Sequence, residues 1–187
     1  MLNRDEQKRL IELSWKAIRH EICGDALPDV DSELSRLPEE SPLRQPGGAF
    51  VTLTERGALR GCLGYITAES PLVEMVATLA ARAATEDPRF TSVTEEELPD
   101  LHVEVSILSP LEEVSSIDEI EVGKHGLFIH AGMYRGLLLP QVAREHRWNR
   151  EEFLEQTCMK AGLPPDHWKH AETRIFIFTA EIIEQEQ

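Results

Sequence analysis

Residues 48–66, Gly48-Ala49-Phe50-Val51-Thr52-Leu53-Thr54-Glu55-Arg56-Gly57-Ala58-Leu59-Arg60-Gly61-Cys62-Leu63-Gly64-Tyr65-Ile66, read as a β-hairpin. Ala49 to Thr54 makes one strand, Glu55-Arg56-Gly57 supplies the turn, and Ala58 to Ile66 returns. A helix follows. Ser70 and Pro71 suit an N-cap and a first helical residue, and Leu72, Met75, Val76, Leu79, Ala80 and Ala83 share one face. It stops at Asp87-Pro88, because a residue before proline avoids helical backbone.

The same order recurs downstream. Gly126-Leu127-Phe128-Ile129 and Arg135-Gly136-Leu137-Leu138 echo Gly48-Ala49-Phe50-Val51 and Arg60-Gly61-Cys62-Leu63. The second hairpin, Leu127 to His130 with Gly136 to Leu139, turns around Ala131-Gly132-Met133. A short helix from Pro140 to about Arg147 follows. A longer one is capped by Asn149 with Glu152, packs Phe153, Leu154, Thr157, Cys158 and Ala161 inward, and ends at Gly162. The echo predicts two related hairpin-plus-helix units, at about residues 48–85 and 126–162, sharing one sheet within a single domain spanning 1–187.

The remaining chain fits around that frame. Leu10, Ile11, Ser14, Ile18 and Ile22 give Arg4 to Ile22 a helical apolar face, and Gly24 is placed to end it. Residues 25–47, with Pro28, Pro38, Pro42 and Pro46, read as a long irregular connection. Thr94 with Glu97 and Ser116 with Glu119 form capping boxes. Leu101 to Leu108 alternates Val103, Val105 and Ile107 against His102, Glu104 and Ser106, and Thr173 to Ile183 reads as one closing strand. The fold class is α+β, with a mainly antiparallel sheet flanked by helices.

Composition narrows the partners. With 187 residues, 41% of them hydrophobic and 28% charged, the chain is long enough to bury roughly 70% of its unfolded surface. A formal charge of -15 and a pI near 4.9 argue against nucleic acid and anionic membrane as partners. The polar opening Met1-Leu2-Asn3-Arg4-Asp5-Glu6 does not resemble a signal peptide, and no apolar run approaches the ~20 residues of a membrane helix. Cys23, Cys62 and Cys158 are odd in number and widely spaced, which fits reduced thiols and a cytoplasmic setting.

Period two along Leu59 to Tyr65 places Arg60, Cys62 and Gly64 on one face, with Arg60 and Cys62 about 6.6 Å apart. A guanidinium so close would favour the thiolate, and Gly61 and Gly64 would leave room for a ligand. The competing reading is a space-filling cysteine between glycines that mark a bulge or close packing. Nucleophilic chemistry needs a base, for which Glu104 and His125 are the candidates, with His102 and His130 behind them. Asp87-Pro88-Arg89-Phe90 either clamps an anion through Arg89 or forms a local salt bridge. His125 with His130, and His167 with His170, lack further ligands at metal spacing. No Gly-x-Gly-x-x-Gly, phosphate loop or Gly-x-Ser-x-Gly occurs, so neither metal nor cofactor is expected.

Several segments in order resemble one family: Leu59-Arg60-Gly61-Cys62-Leu63-Gly64, Asp87-Pro88-Arg89-Phe90, Glu104-Val105-Ser106-Ile107-Leu108, Gly123-Lys124-His125-Gly126-Leu127 and Leu138-Leu139-Pro140-Gln141-Val142-Ala143, with Trp148 after them. This pattern, from about residue 7 to 183, resembles the AMMECR-domain family, whose bacterial members are called AmmeMemoRadiSam system protein A. The sequence departs from the family pattern at Leu63, where isoleucine is usual, and at Tyr65, where a small hydroxyl residue is common. The resemblance implies a barrel-like sheet built from two related β-rich units. It also implies association with a Memo-like protein and a radical S-adenosylmethionine enzyme, and it brings Gln141 into the ligand-binding set with Gly61, Gly64, Asp87 and Arg89. The expected function is that of an accessory protein. The alternatives are a cysteine-dependent enzyme using Cys62 with Arg60, Glu104 and His125, or a small-molecule or anion sensor.

Overall fold

Arg56 and Gly57 both take left-handed backbone, φ 51 and φ 81, and this two-residue turn closes the first hairpin in the computed structural model, which describes residues 1–185. Such a turn matches the right-handed twist of the strands it joins. In chain order the elements are α1 (Arg4–Cys23), α2 (Val30–Arg36), β1 (Gly48–Glu55), β2 (Ala58–Tyr65), α3 (Leu72–Thr85), β3 (Leu101–Leu108), β4 (Glu112–Glu113), β5 (Gly126–Ala131), β6 (Tyr134–Leu138), α4 (Pro140–Glu145), α5 (Arg150–Lys160), β7 (Arg174–Phe178) and β8 (Ala180–Glu184). They fall into two compact units, one of residues 1–108 with the strand from Glu181, the other Ser109–Ala180.

In the first unit β1 is central. It pairs antiparallel with β2 from Ala49↔Tyr65 to Leu53↔Gly61, and with β3 from Gly48↔Leu108 to Glu55↔Leu101. The sheet order is β2-β1-β3-β8. One face carries Ala49, Val51, Leu53, Val103 and Val105, all fully buried, in a cluster with Leu10, Leu13 and Ile18 of α1 and Val76, Leu79 and Ala80 of α3. Each such Leu, Ile or Val contributes about 1.5–3 kcal/mol by leaving water. Asn3 and Glu6 cap α1 reciprocally, and the buried Glu6 also accepts from the Ser41 hydroxyl, which fastens the proline-rich connection to the helix. That connection holds a helix the sequence reading did not foresee. α2 is seven residues long, is capped by Asp29 and lays only Val30 and Leu34, one turn apart, against the core, a stripe too short to stand out between Pro28 and Pro38. α3 begins one residue later than expected, with Pro71 rather than Ser70 at its N-cap.

In the second unit the sheet order is β4-β7-β5-β6, and the pairs β5–β6, β5–β7 and β4–β7 are antiparallel. Its core joins Leu127, Ile129 and Ile177 to Phe153, Leu154 and Cys158 of α5. Both units therefore run hairpin, helix, then a third strand on the free side of the first, β2-β1-β3 in one and β6-β5-β7 in the other.

Two expectations are corrected. The units do not share one sheet: each has its own open sheet of four strands, with no closed barrel among the described residues. The anticipated closing strand is broken at Thr179, so β7 joins one sheet and β8 the other. The period-two row Phe176, Phe178, Ala180 and Ile182 runs on through Thr179 and hides that break. The α+β class and the antiparallel pairing stand. No helix among the described residues is long and apolar enough to cross a membrane.

Candidate functional site

The glycine of each Arg-Gly pair marks where a helix backbone rests on the second strand of its hairpin. A Cβ on Gly61 would stand 2.2 Å from the Ala83 carbonyl oxygen of α3. A Cβ on Gly136 would stand 2.6 Å from both the Ala161 nitrogen and the Thr157 carbonyl oxygen, at the end of α5. These are closer than any relaxed structure tolerates, so the missing side chains are what let helix and sheet meet. Above Gly64, a Cβ would lie 2.2 Å from Phe50 Cδ1: the Phe50 ring fills the space that a ligand was expected to use.

β2 lies at the edge of its sheet, where backbone groups need partners from outside the ladder. At Cys62 they come from the Asp87-Pro88-Arg89 turn. Asp87 Oδ2 accepts from the Cys62 N–H at 2.8 Å, and Arg89 Nη2 donates to the Cys62 carbonyl at 3.4 Å. The same aspartate accepts from Arg89 Nε at 3.0 Å and Nη2 at 2.7 Å, and from the Arg89 backbone N–H at 3.0 Å. Asp87 is buried, and the Arg89 guanidinium, with help from the Cys62 N–H, holds its carboxyl far below the ordinary range against the opposing effect of burial. The Arg89 guanidinium is in turn stabilised as the cation, first by Asp87 and to a lesser degree by Cys62.

Arg60 is directed elsewhere. Leu53 pairs with Gly61 and Thr54 with Leu59, so Arg60 is the extra residue of a β-bulge. The bulge interrupts the period-two count that set Arg60 beside Cys62. Its guanidinium forks onto Glu97, Nε to Oε1 at 2.6 Å and Nη2 to Oε2 at 3.0 Å, and donates to the Thr91 and Ser92 carbonyls at 2.8 and 3.1 Å. Arg60 holds the Glu97 carboxyl down to about 2. Glu97 also accepts from the Thr94 N–H at 2.7 Å, so one carboxylate serves both the capping box and the bulge.

On the face of the sheet opposite the core, register aligns Cys62, Thr52 and Glu104 across β2, β1 and β3. All three are half-buried. The Thr52 hydroxyl donates to Cys62 Sγ at 3.4 Å, and the Ser106 hydroxyl donates to Glu104 Oε1 at 3.4 Å. The matching row of the second unit, Leu137, Phe128 and Phe176, is apolar, and its two phenyl rings lie 5.7 Å apart. A thiol, a hydroxyl and a carboxylate in one row are thus peculiar to the first copy of the motif.

The family model for AMMECR1 matches residues 11–183. The chain belongs to the AMMECR1 family. Among AMMECR1 relatives, a protein of Methanothermobacter thermautotrophicus is 46% identical over 99% of this chain and 97% of its own length. One from Thermococcus kodakarensis is 50% identical over 80% of this chain and 78% of its own. The crystal structure of an uncharacterized protein from Pyrococcus horikoshii has the same fold, with a TM-score of 0.88 at 39% identity, over 99% of this chain and 94% of that one.

In this AMMECR1 chain, then, Cys62, Asp87 and Arg89 meet directly, and Glu104 lies in the same cross-strand row as Cys62, with Thr52 between them in register. His125 and Gln141 belong to the second unit. His125 takes part in its own turn, its Nδ1 accepting from the Glu121 N–H at 3.1 Å. The Gln141 amide oxygen is buried with no hydrogen-bond partner among the described residues. Thr52 and Glu97 were absent from the expected set. Glu97 had left a signal as a cap; Thr52 had left none, because cross-strand register is not written in local sequence.

Proposed function

We propose that this AMMECR1 chain is an accessory protein whose first sheet presents the Cys62–Thr52–Glu104 row to a partner, within a cytoplasmic set that includes a Memo-like protein and a radical S-adenosylmethionine enzyme. One observation carries the reading. The charges of the motif are answered inside the chain, Arg60 by Glu97 and Arg89 by Asp87, and so hold a surface in place. A guanidinium bound bidentately by its own carboxylate is a poor anion receptor, which counts against the sensor reading.

Co-purification of the three proteins tests the proposal. Cys62→Ser, nearly isosteric, is expected to keep association within about twofold, a change of less than 0.5 kcal/mol. Thr52→Arg, which plants a long cation in the middle of the row, is expected to abolish association while the melting temperature stays near wild type. Association that survives Thr52→Arg would remove this face from the interface.

The Thr52 hydroxyl on Cys62 Sγ favours a second reading, cysteine-dependent chemistry. It requires Cys62→Ser to abolish the output of the three-protein set with association intact. Alkylation read thiol by thiol supports the comparison. Cys158 is fully buried, and burial pushes its thiol up, so it is expected to react only on unfolding, after the half-buried Cys62.

A further inference from the structure

The turn into β7 brings two imidazoles and a carboxylate together, far in sequence from the Cys62 row. Residues Pro165–Lys169 form a 3₁₀ turn, and the His170 N–H donates to the His167 carbonyl at 3.0 Å. Side chains three residues apart eclipse in a 3₁₀ turn, so the two rings stack, 4.5 Å between centroids and 13° between planes. Glu172 closes the group: its Oε1 lies 3.5 Å from His170 Nδ1 and 4.0 Å from His167 Nε2, and all three ligand atoms fall within 4.8 Å of one another.

Thr173 decides how His167 is protonated. Its hydroxyl donates its single proton to the His167 carbonyl at 2.8 Å, so towards His167 Nδ1, at 2.9 Å, it is the acceptor. Neutral His167 therefore carries its proton on Nδ1 and turns the Nε2 lone pair towards Glu172. Metal-binding histidines are oriented by this kind of bond from the other ring nitrogen. The nearest cation on the same turn, Lys169, lies over the Trp168 ring, 4.9 Å from its centroid.

We propose that His167 Nε2, His170 Nδ1 and Glu172 bind a divalent transition-metal ion of the zinc, nickel and copper class. Two imidazoles with one carboxylate suit these borderline ions rather than magnesium or calcium. Metal–ligand bonds of about 2.1 Å in a tetrahedron set ligand atoms about 3.4 Å apart, close to the 3.5 Å and 4.0 Å separations present. The side chain of His167 is 17% exposed and held by Thr173. Those of His170 and Glu172, at 53% and 64%, supply the rotation that unstacks the rings and closes the site. Solvent fills the remaining coordination position. Without a metal, His170 and Glu172 make only an exposed contact on the surface of this turn.

The test is calorimetric titration of Zn²⁺ and Ni²⁺ into the untagged full-length chain, with quenching of tryptophan fluorescence by Ni²⁺ as a second readout. One equivalent is expected to bind, with no heat from Mg²⁺ or Ca²⁺. His167→Ala should abolish that binding. Thr173→Val should weaken it roughly 10–100-fold by releasing the tautomer, and Thr173→Ser should restore it. Melting curves without metal establish that each variant folds. Zn²⁺ binding that is absent in wild type, or unchanged in His167→Ala or in Thr173→Val, overturns the proposal.

Discussion

Gly61→Ala is expected to destabilise the first unit by about 3 kcal/mol or more, the upper end of what overpacking costs. The added methyl would sit 2.2 Å from the Ala83 carbonyl oxygen, and the obstacle is helix backbone rather than the tip of a flexible side chain. α3 cannot retreat cheaply, because Val76, Leu79 and Ala80 on the same helix are locked in the core. Gly136→Ala should behave alike in the second unit, against Thr157 and Ala161. Gly57→Ala is the control. Nothing lies within 4 Å of its added Cβ, so only the φ of 81 is strained, at about 1 kcal/mol. Urea unfolding of the three variants measures the differences. A Gly61→Ala loss no larger than that of Gly57→Ala would mean that α3 does not rest on β2 as described. The result bears on function too: a bulky residue at Gly61 would injure the fold and could not report on a partner surface.

The sequence carried local structure well, because each local element is fixed by neighbours in the chain. The capping boxes at Thr94, Ser116 and Asn149 formed as read, and β3 spans Leu101–Leu108 as expected. The echo between the two hairpins proved to be a repeated topology, down to the glycine on which each helix rests. What stayed hidden depended on long-range pairing. Arg60 and Cys62 looked like neighbours because period two was assumed through Gly61, and a bulge there broke the count. Gly61 did hint at a bulge, but only pairing with β1 reveals which residue is extra. Glu97 is 37 residues from Arg60, and Asp87 is 25 from Cys62. Such partners become visible only when the edge of β2 is seen to need them. The Thr173 bond that orients His167 is local, yet spacing alone could not show it, because it depends on the direction of a hydroxyl.

Acid should unfasten the edge of β2 before the core gives way. Asp87 and Glu97 both have folded pKa values depressed below their unfolded ones, by Arg89 and by Arg60. Groups of this kind contribute stability that is fully present above the unfolded values, about 4 for both carboxyls, and is lost as pH falls through the folded ones. For Glu97, whose side chain is 23% exposed, the window runs from the ordinary 4.5 down to about 2, and the contribution is at most about 3 kcal/mol. Asp87 extends the loss to still lower pH. The rest of the chain pulls the other way above the window: with -15 net charge, acidification towards the pI near 4.9 relieves self-repulsion. Stability is therefore expected to rise slightly from pH 7 to about 5 and then fall steeply. Glu97→Gln should flatten that fall and lower stability at pH 7. Asp87→Ala should cost about 3 kcal/mol at pH 7, because it strands the Cys62 N–H and takes a buried partner from Arg89. That figure is at the low end for a buried pair, since the Arg89 side chain is 51% exposed and water replaces part of what it loses. Urea unfolding at pH values from 7 to 2 reads all three curves. If Glu97→Gln and wild type fall in parallel below pH 4.5, the Arg60–Glu97 fork is not coupled to folding, and the edge of β2 is held by the Asp87–Arg89 turn alone.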